Sequence, residues 1–409
     1  MRRPGLSPAD PIISSASYVR YLNFEIFQVV KSFLLKLYVG KAKSAEIVLE
    51  DLFSFIQPGI FGPPNFGGFD RLENMISADT ALLGVARFEG QRYLLSCVYI
   101  QDRGQRCFAL ILSGDPSEDF RPPIFAEALL KEALRNSGYL GKIIRFQDPE
   151  IHYGTSLKTI PEPGVTLDQI YLRDKKELED FVSAVRGCDG GLKYLFVGEP
   201  GTGKTETIRA LISECSRVNR ELTIFLIDAA CGVHLSEVFE FAEVFSPIMV
   251  CIDDIDLIVG SRERLPAKYG TLELSRALQE LDGFLSRDGF FFVATTNDRR
   301  LVDLALRRPG RVDLIMEFGP LAPEFYPSLV LAKTGDRRLA ELFEKPEVKE
   351  KLSRLQATGA FLVNLTKYLL RPRYEVERYK LSFVLKTVEH LHSIFKTELA
   401  GGERMGFVP

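Results

Sequence analysis

The chain has 409 residues, of which 46% are hydrophobic and 26% are charged, and its net charge at pH 7 is −3. The length predicts two or three domains, and the composition is typical of globular proteins. The slightly negative net charge argues against a general electrostatic attraction between the protein surface and nucleic acid. The six cysteines include no Cys-x-x-Cys pair, so we expect buried thiols in a reducing, cytoplasmic compartment rather than a disulfide or zinc framework.

The N-terminal region lacks a secretory signal pattern but contains one long apolar stretch. Residues 18–39 are rich in aromatic and aliphatic side chains, which Glu25, Lys31 and Lys36 interrupt. A stretch with these charges is too polar to span a bilayer comfortably. We therefore expect a helix with a broad apolar face that packs on its own domain or on a partner, and no membrane contact.

A small α+β domain is predicted next. A loop rich in Gly, Pro and Phe over 51–70 precedes three strand-like runs, and turns at Glu89-Gly90 and Arg103-Gly104 join these runs into an antiparallel meander. Residues 153–168 have little apolar periodicity and indicate a linker. The predicted strands cover 82–88, 92–100, 107–112 and 140–146, and an amphipathic helix covers 125–136.

Residues 198–205 read Gly-Glu-Pro-Gly-Thr-Gly-Lys-Thr, which is a complete Gly-x4-Gly-Lys-Ser/Thr phosphate loop. Glycines let a backbone wrap closely around an anion, and the loop N–H groups and the next helix N-terminus then bind phosphate oxygens. A strand is predicted before the loop at 194–197 and a helix after it at 206–215, as this motif requires. We expect Lys204 to reach the β- and γ-phosphates and the Thr205 hydroxyl to hold Mg²⁺.

Two further apolar runs end in polar side chains suited to a nucleotide site. The run at 248–252 predicts a strand buried on both faces and ends in Asp253 and Asp254. Ligands bind beyond the carboxyl ends of such strands, so Asp253 can face the Mg²⁺ and Asp254 can orient the attacking water. The alternative is two acids that cap the next helix. The run at 289–294 leads to Asn297, which can bind a water and the γ-phosphate or can be an ordinary turn residue.

An arginine-rich turn follows the third strand. Residues 307–313 read Arg-Arg-Pro-Gly-Arg-Val-Asp, so Pro and Gly form a rigid turn with arginines on both sides. A planar guanidinium suits the charge of a γ-phosphate. Surface arginines in a basic loop are the alternative interpretation.

Together these segments resemble the AAA ATPase family. The resemblance rests on the phosphate loop, on Ile-Met-Val-Cys-Ile-Asp-Asp-Ile-Asp at 248–256, and on 294–313, which match the second region of homology of the family. It covers residues 166 to 372 and implies a Mg²⁺-dependent ATPase that binds ATP. No His-Glu-x-x-His motif is present, so we do not expect the zinc protease attached to some membrane-bound AAA proteins.

The resemblance also implies roles for individual residues. Asn297 would be the first sensor residue, and Arg308 and Arg311 would act on ATP held by a neighbouring subunit. That implies a homo-oligomeric ring, usually a hexamer. Thr358-Gly359-Ala360 resembles a weak element of the family's lid, in which the glycine lets a helix start close to the base and ribose. The implied nucleotide contacts are Gly198, Glu199, Pro200, Gly201, Thr202, Gly203, Lys204, Thr205, Glu206 and Gly359, and the segment 168–172 would lie against the adenine.

These motifs divide the chain into three predicted parts. Residues 1–165 form the small α+β domain and linker, 166–320 an α/β core with a parallel sheet, and 321–409 a helical lid. In this family the N-terminal domain usually recognises a protein substrate or adaptor, and a domain for assembly alone is the alternative. The predicted helices of the lid cover 323–333, 336–344, 346–355, 359–371 and 374–398.

Three departures from the family pattern matter. Asp254 stands where the family usually has Glu, and a carboxylate shorter by one methylene can slow hydrolysis. Glu199 stands where many relatives have Pro, which should matter little because backbone N–H groups dominate the loop. The segment 229–235 contains no aromatic residue to grip a threaded polypeptide, although Val233 or His234 could line a pore.

These observations favour a ring-forming ATPase that remodels a protein partner. A nucleotide-dependent switch or scaffold with little turnover is the second hypothesis, because of Asp254 and the missing pore aromatic. A DNA-handling ATPase is the third, and the acidic net charge argues against it.

Overall fold

The computed structural model describes residues 16–22, 24–56, 80–102, 105–114, 120–147, 156–188, 190–228, 245–256, 288–297 and 312–400, and all structural statements concern these residues. The chain divides into two compact units. The first comprises Met1–Pro161, Arg220–Val250 and Ser286–Phe290, and the second comprises Glu162–Asn219, Cys251–Leu285 and Phe291–Pro409.

Several sequence predictions fall outside the described residues. They concern the loop at 57–70, the turn at Arg103-Gly104, the segment 229–235, Arg308 and Arg311. These stay predictions.

An antiparallel five-stranded sheet lies in the first unit. Its strands follow the order β1-β5-β4-β3-β2. The predicted meander is confirmed, because β3, β4 and β5 are successive antiparallel neighbours. Glu89 and Gly90 have positive φ angles, as a tight hairpin turn between β3 and β4 requires. The strands are β1 (Ala16–Leu22), β2 (Ile47–Ile56), β3 (Thr80–Phe88), β4 (Gln91–Asp102) and β5 (Gln105–Gly114).

Two predictions for this sheet were wrong. Residues 18–22 belong to strand β1 rather than to a helix, and residues 51–56 belong to strand β2 rather than to a loop. All seven residues of β1 pair with β5, which lies far along the chain. Pairing over such a distance leaves little local signal, and the apolar run of β1 leads almost directly into the helix that follows it.

Two helices complete the core of the antiparallel sheet. Helices α1 (Phe24–Tyr38) and α2 (Pro122–Arg135) contact each other and the sheet. The Phe125 ring lies 5.2 Å from the Phe88 ring and 4.6 Å from the Tyr93 ring, and all three side chains are buried. Apolar side chains of α1 such as Phe27, Val30 and Leu34 are also buried, so the prediction of an N-terminal helix with an apolar face that packs on its own domain is confirmed.

The first unit also contains strands of a mixed sheet, in the order β10-β9-β6-β7. Strand β6 (Ile143–Gln147) runs parallel to β9 (Thr223–Asp228) and antiparallel to β7 (Ser156–Ile160). Residues 248–250, the first half of β10 (Ile248–Asp253), belong to this unit. The linker prediction for 153–168 was wrong over β7, where five residues without a strong apolar pattern form an edge strand.

In the second unit the strand order is β12-β8-β11-β10. Strand β8 (Lys193–Gly198) is parallel to both β11 (Phe290–Thr296) and β12 (Leu314–Phe318). Every residue of β8 and of β11 is buried, as expected for strands covered on both faces. Helices α3 (Lys176–Gly187) and α4 (Lys204–Val218) contact each other, and α4 also contacts β8. The predicted α/β core with parallel strands is confirmed.

The C-terminal part of the second unit is helical, as predicted. One boundary was wrong, because Pro372–Tyr374 and Glu377–Tyr379 form short 3-10 turns and the last helix begins only at Leu381. Pro372 begins the first of these turns, since proline cannot continue a preceding helix. The helices share one buried core. They are α5 (Tyr326–Thr334), α6 (Arg337–Leu342), α7 (Pro346–Arg354), α8 (Gly359–Leu369) and α9 (Leu381–Ala400).

Within the described residues, no helix combines the length and apolar character needed to cross a membrane.

Candidate nucleotide-binding site

The phosphate loop joins the buried strand β8 to the N-terminus of helix α4. Gly201 and Gly203 have φ angles of +80° and +105°, and α4 begins at Lys204. Residues with a side chain rarely adopt these angles, so the loop requires glycine at both turns. The Thr202 hydroxyl donates a hydrogen bond to the Glu199 carbonyl at 2.8 Å. The loop thus leads directly into a helix N-terminus, which is a natural site for an anion.

Two glycines of the loop also lack room for a side chain. A Cβ atom on Gly198 would lie 2.1 Å from the Phe318 carbonyl oxygen, because β12 pairs with β8 up to this residue. A Cβ atom on Gly201 would lie 2.7 Å from the Cβ of Ala360, in the first turn of α8. The shape of the loop is therefore set by the neighbouring strand and by a C-terminal helix.

The Lys204 side chain is buried in the site and fully hydrogen-bonded. Its Nζ donates to the Gly198 carbonyl at 2.8 Å, to the Glu199 carbonyl at 3.0 Å and to Asn297 Oδ1 at 2.8 Å. Burial lowers the pKa of Lys204 from the usual lysine value, while nearby aspartates act in the opposite direction. The structure therefore brings the loop lysine and the predicted sensor asparagine into direct contact.

Thr205 and Asp253, the two residues predicted to hold a metal ion, contact each other. The Thr205 hydroxyl donates to Asp253 Oδ1 at 3.1 Å. A hydroxyl and a carboxylate are hard oxygen donors, which Mg²⁺ prefers, and Mg²⁺ beside a nucleotide needs only one or two protein carboxylates in addition to phosphates and water. The described residues contain no cluster of three or more acidic, His or Cys side chains that could hold a metal alone. The two residues thus fit a Mg²⁺ ion that a nucleotide also coordinates.

Asp254 and Asn297 lie in hydrogen-bond contact. Asn297 Nδ2 donates to Asp254 Oδ1 at 2.8 Å, and the Asn297 backbone N–H donates to Asp256 Oδ1 at 3.2 Å. Asp254 has a φ angle of +52°, in the left-handed region that few residues other than glycine occupy. Burial raises the pKa of Asp254, with a further rise caused by Asp253 and Asp256. A strained, desolvated carboxylate of this kind is typical of functional sites.

Thr295 is a site residue that the sequence analysis did not single out. Its hydroxyl donates to Asp253 Oδ1 at 2.7 Å and accepts from the Asp254 backbone N–H at 2.8 Å. The side chain is fully buried. Its signal in the sequence was its position two residues before Asn297, because alternate residues of a strand point to the same face.

Helix α8 contributes its N-terminus to the site. The Thr358 hydroxyl caps the helix by accepting from the Phe361 N–H at 3.3 Å, and the Ala360 N–H donates to the Gly201 carbonyl at 3.1 Å. A Cβ atom on Gly359 would lie 3.7 Å from the same Gly201 oxygen. The predicted helix start thus lies directly against the phosphate loop.

The phosphate loop, Asp254, Asn297 and the start of α8 line one cleft of about 750 Å³, within the size range of cofactor sites. One end is formed by the phosphate loop with Glu206, Asp254 and Asn297. The remaining walls are mostly apolar and come from both the segment before α3 and the C-terminal helices. They include Val165, Ile170, Leu321, Leu329 and Val363, with Gln169, Lys333 and Asn364 as polar side chains.

The structure also describes other residues that the sequence analysis named. Pro200 and Thr202 line the cleft, and Glu206 forms an exposed ion pair with Arg209 at 3.2 Å. Asp313, at the end of the arginine-rich motif, accepts from the Lys193 N–H at 2.9 Å and so connects the starts of β12 and β8. Sequence reasoning missed Lys333 and Asn364, since neither belongs to a motif.

Comparison with known families agrees with this geometry. Residues 194–320 match the model of the "ATPase family associated with various cellular activities (AAA)". The chain contains an AAA domain. The predicted resemblance is therefore confirmed, and the matched residues include the phosphate loop, Asp253 and Asp254 at the end of β10, and the asparagine after β11.

Curated relatives of the chain share this part of it. A probable inactive ATP-dependent zinc metalloprotease, FTSHI 5 of Arabidopsis thaliana, is 35% identical over 41% of the chain and 14% of its own length. The proteasome-activating nucleotidase of Pyrococcus abyssi is 32% identical over 47% of the chain and 52% of its own length. The ATP-dependent zinc metalloprotease FtsH 1 of Symbiobacterium thermophilum is 28% identical over 60% and 43%, respectively. The chain spans about half the length of these relatives, or less.

Proposed function

We propose that the chain is a Mg²⁺-dependent ATP hydrolase that assembles into a homo-oligomeric ring, with a hexamer as the expected size, and remodels a protein partner. The observation that supports hydrolysis best is the hydrogen-bonded series from Lys204 through Asn297 to Asp254. This series lies in the cleft beside the Thr205–Asp253 pair. A phosphate-binding cation, a metal-binding pair and a carboxylate for water are thus available in one place.

The binding step follows from the loop and the cleft walls. Loop N–H groups and the N-terminus of α4 would bind the phosphates, and the Lys204 ammonium would exchange its contacts with loop carbonyls for contacts with phosphate oxygens. The apolar walls and Gly359 would enclose the base and ribose. Thr205 and Asp253 would hold Mg²⁺, which would supply positive charge beside the phosphates.

For hydrolysis, the chain must orient a water and stabilise the charge that develops on the transferred phosphoryl group. Asp254 would accept a hydrogen bond from the attacking water, and Asn297 would hold Asp254 and the γ-phosphate in register. Arg308 and Arg311 would supply guanidinium groups from the neighbouring subunit, as arginine fingers do. A ring would therefore be needed to complete each site.

A protein partner is proposed on two grounds. The names of relatives refer to the activation of proteasomes and to ATP-dependent proteolysis, which are processes that act on proteins. The first unit of this chain carries an antiparallel sheet with two helices outside the AAA domain, which we propose as the part that recognises a substrate or adaptor. We further propose that residues 1–165, 166–320 and 321–409 act as recognition domain, ATPase core and lid.

The decisive experiment measures ATP hydrolysis per chain with Mg²⁺ over a range of protein concentrations. A rate that rises with concentration and then saturates supports a ring whose sites are completed between subunits. Lys204→Met should abolish the rate, and Lys367→Met, which changes an exposed lysine of α8, should not. A rate per chain that is constant at all concentrations would overturn assembly-dependent hydrolysis.

An ATP-binding switch or scaffold with little turnover is the second candidate, because Asp254 is shorter than the glutamate usual in the family. Tight ATP binding without turnover at any concentration, and turnover gained by Asp254→Glu, would favour this candidate. A DNA-handling ATPase requires salt-sensitive binding to nucleic acid, and the absence of such binding at low salt would end that hypothesis.

A further inference from the structure

We infer that Thr295 is a positioning residue that holds both Asp253 and Asp254 in their working geometry. This inference rests on the proposed function, because it assigns a role within the same site. It concerns the orientation of the two carboxylates and gives Thr295 no direct contact with substrate.

The geometry places one hydroxyl between two consecutive acids. Thr295 Oγ1 donates its hydrogen to Asp253 Oδ1 at 2.7 Å and accepts the backbone N–H of Asp254 at 2.8 Å. Asp253 Oδ1 also accepts from Thr205 at 3.1 Å. The hydroxyl therefore fixes the carboxylate of the proposed metal ligand and the backbone of the proposed water-orienting residue at once.

The Asp254 backbone needs such support. Its φ angle of +52° is unfavourable for a residue with a side chain. This conformation persists only if surrounding contacts hold it. Thr295 contacts the Asp254 backbone, and Asn297 contacts the Asp254 carboxylate. Both residues stand at the end of β11, so this strand end holds Asp254 at two points.

The alternative is that Thr295 only fills space in the sheet. Its side chain is fully buried, and valine has nearly the same shape. A space-filling role predicts that Thr295→Val preserves activity, whereas a positioning role predicts a loss. Thr295→Ser keeps the hydroxyl but removes the methyl group. A positioning role predicts that this variant keeps its activity, whereas a space-filling role predicts a loss, so the two roles are separable.

The test compares four proteins: wild type, Thr295→Val, Thr295→Ser and Thr387→Val. Thr387 is a matched control, since its buried hydroxyl donates to the Phe383 carbonyl of its own helix at 2.8 Å, outside the cleft. We expect Thr295→Val to lower kcat by about 10- to 100-fold, the range for a lost hydrogen bond to a charged group. Thr295→Ser should keep kcat within about 3-fold of wild type, and the control should match wild type.

A second measurement does not depend on turnover. The affinity for a fluorescent ATP analogue is measured with Mg²⁺ and with EDTA in all four proteins. If Thr295 orients Asp253, the gain in affinity that Mg²⁺ gives should shrink in Thr295→Val and persist in Thr295→Ser. Affinity in EDTA should be the same in all four, because the phosphate loop is untouched.

The outcomes separate this inference from the proposed function. If wild type binds ATP but does not turn it over, the hydrolase proposal fails, and the Mg²⁺ dependence of binding still decides the role of Thr295. If Thr295→Val keeps both kcat and the Mg²⁺ effect, the positioning role is overturned. Should Thr295→Val fail to fold, as judged by its thermal melt, Thr295→Cys serves as the second variant, because a thiol is a weak donor and acceptor.

Discussion

In the nucleotide cleft individual side chains have separate roles, whereas in the five-stranded sheet of the first unit several side chains share one packing role. In the cleft, Lys204 alone makes three hydrogen bonds and Asp254 is held by contacts from two residues of one strand. In the sheet, Phe125 lies among other buried rings that share the same packing role. Substitutions in the cleft should therefore change chemistry with little effect on folding, whereas substitutions in the sheet should do the reverse.

The largest expected effect concerns a residue proposed to act between subunits. Arg308→Ala should lower kcat by about 1,000-fold or more, the lower range for arginine fingers, while ATP binding survives. Steady-state hydrolysis and fluorescence binding measure the two effects. When Arg308→Ala and Lys204→Met chains are mixed, part of the activity should return. In a mixed ring, some sites combine Lys204 of an Arg308→Ala chain with Arg308 of a neighbouring Lys204→Met chain. Unchanged turnover in Arg308→Ala would remove this arginine from the mechanism.

The next effect tests the water-orienting carboxylate. Asp254→Asn keeps the hydrogen bond to Asn297 possible but removes the charge that would polarise the water, so turnover should fall by about 100-fold or more. ATP should then remain bound and stabilise the oligomer, which size-exclusion chromatography with radiolabelled ATP can detect. Asp254→Glu is the companion variant and should retain turnover. Normal hydrolysis by Asp254→Asn would contradict the assignment.

A core substitution in the first unit tests whether a change in that unit affects folding and leaves ATP binding intact. Phe125→Ala removes a buried ring and should lower the free energy of unfolding of that unit by about 3–5 kcal/mol. Phe53→Ala changes a side chain that is 56% exposed and should cost less than about 0.5 kcal/mol. Differential scanning calorimetry measures both. ATP affinity should be unchanged in each variant, and a matching loss of ATP affinity in Phe125→Ala would break the contrast between the two regions.

The smallest effect concerns thiol reactivity. Cys97, Cys215 and Cys251 are buried, and burial raises the pKa of Cys97 to about 12. Because the thiolate is the reactive form, iodoacetamide at pH 8 should leave these three cysteines unmodified in the folded protein and modify them after unfolding. Cys188 is half-buried and should react in the folded state. Mass spectrometry of peptides reports each site, and rapid modification of Cys251 would contradict the burial of β10.

Much of the cleft was predictable because its chemistry requires particular residue types at fixed spacing. The phosphate loop, Asp253, Asp254 and Asn297 were found from sequence, and the structure brings them together. Thr295 was missed, because a threonine in an apolar run is also an ordinary strand residue. The positive φ of Asp254 left no sequence signal either, since it depends on partners from β11.

The sheet of the first unit was predictable only where its strands are neighbours in sequence. Strands β3, β4 and β5 were found because short turns separate alternating apolar runs. Strands β1 and β2 of this sheet were missed, as was β7 in the mixed sheet. The pairing of β1 with β5 spans most of the unit, and β7 is an edge strand of five residues. Edge strands such as these carry little local pattern of their own.

The close contact between the phosphate loop and helix α8 has an evolutionary consequence. Gly201 and Ala360 are far apart in sequence, yet the Ala360 N–H binds the Gly201 carbonyl, and a Cβ on residue 201 would collide with the methyl group of Ala360. A larger residue at position 360 would therefore displace the loop even though it belongs to no phosphate-binding motif. Selection should keep position 360 small in descendants of this chain for as long as they retain the loop, so drift at that position would mark lineages that have stopped using nucleotide.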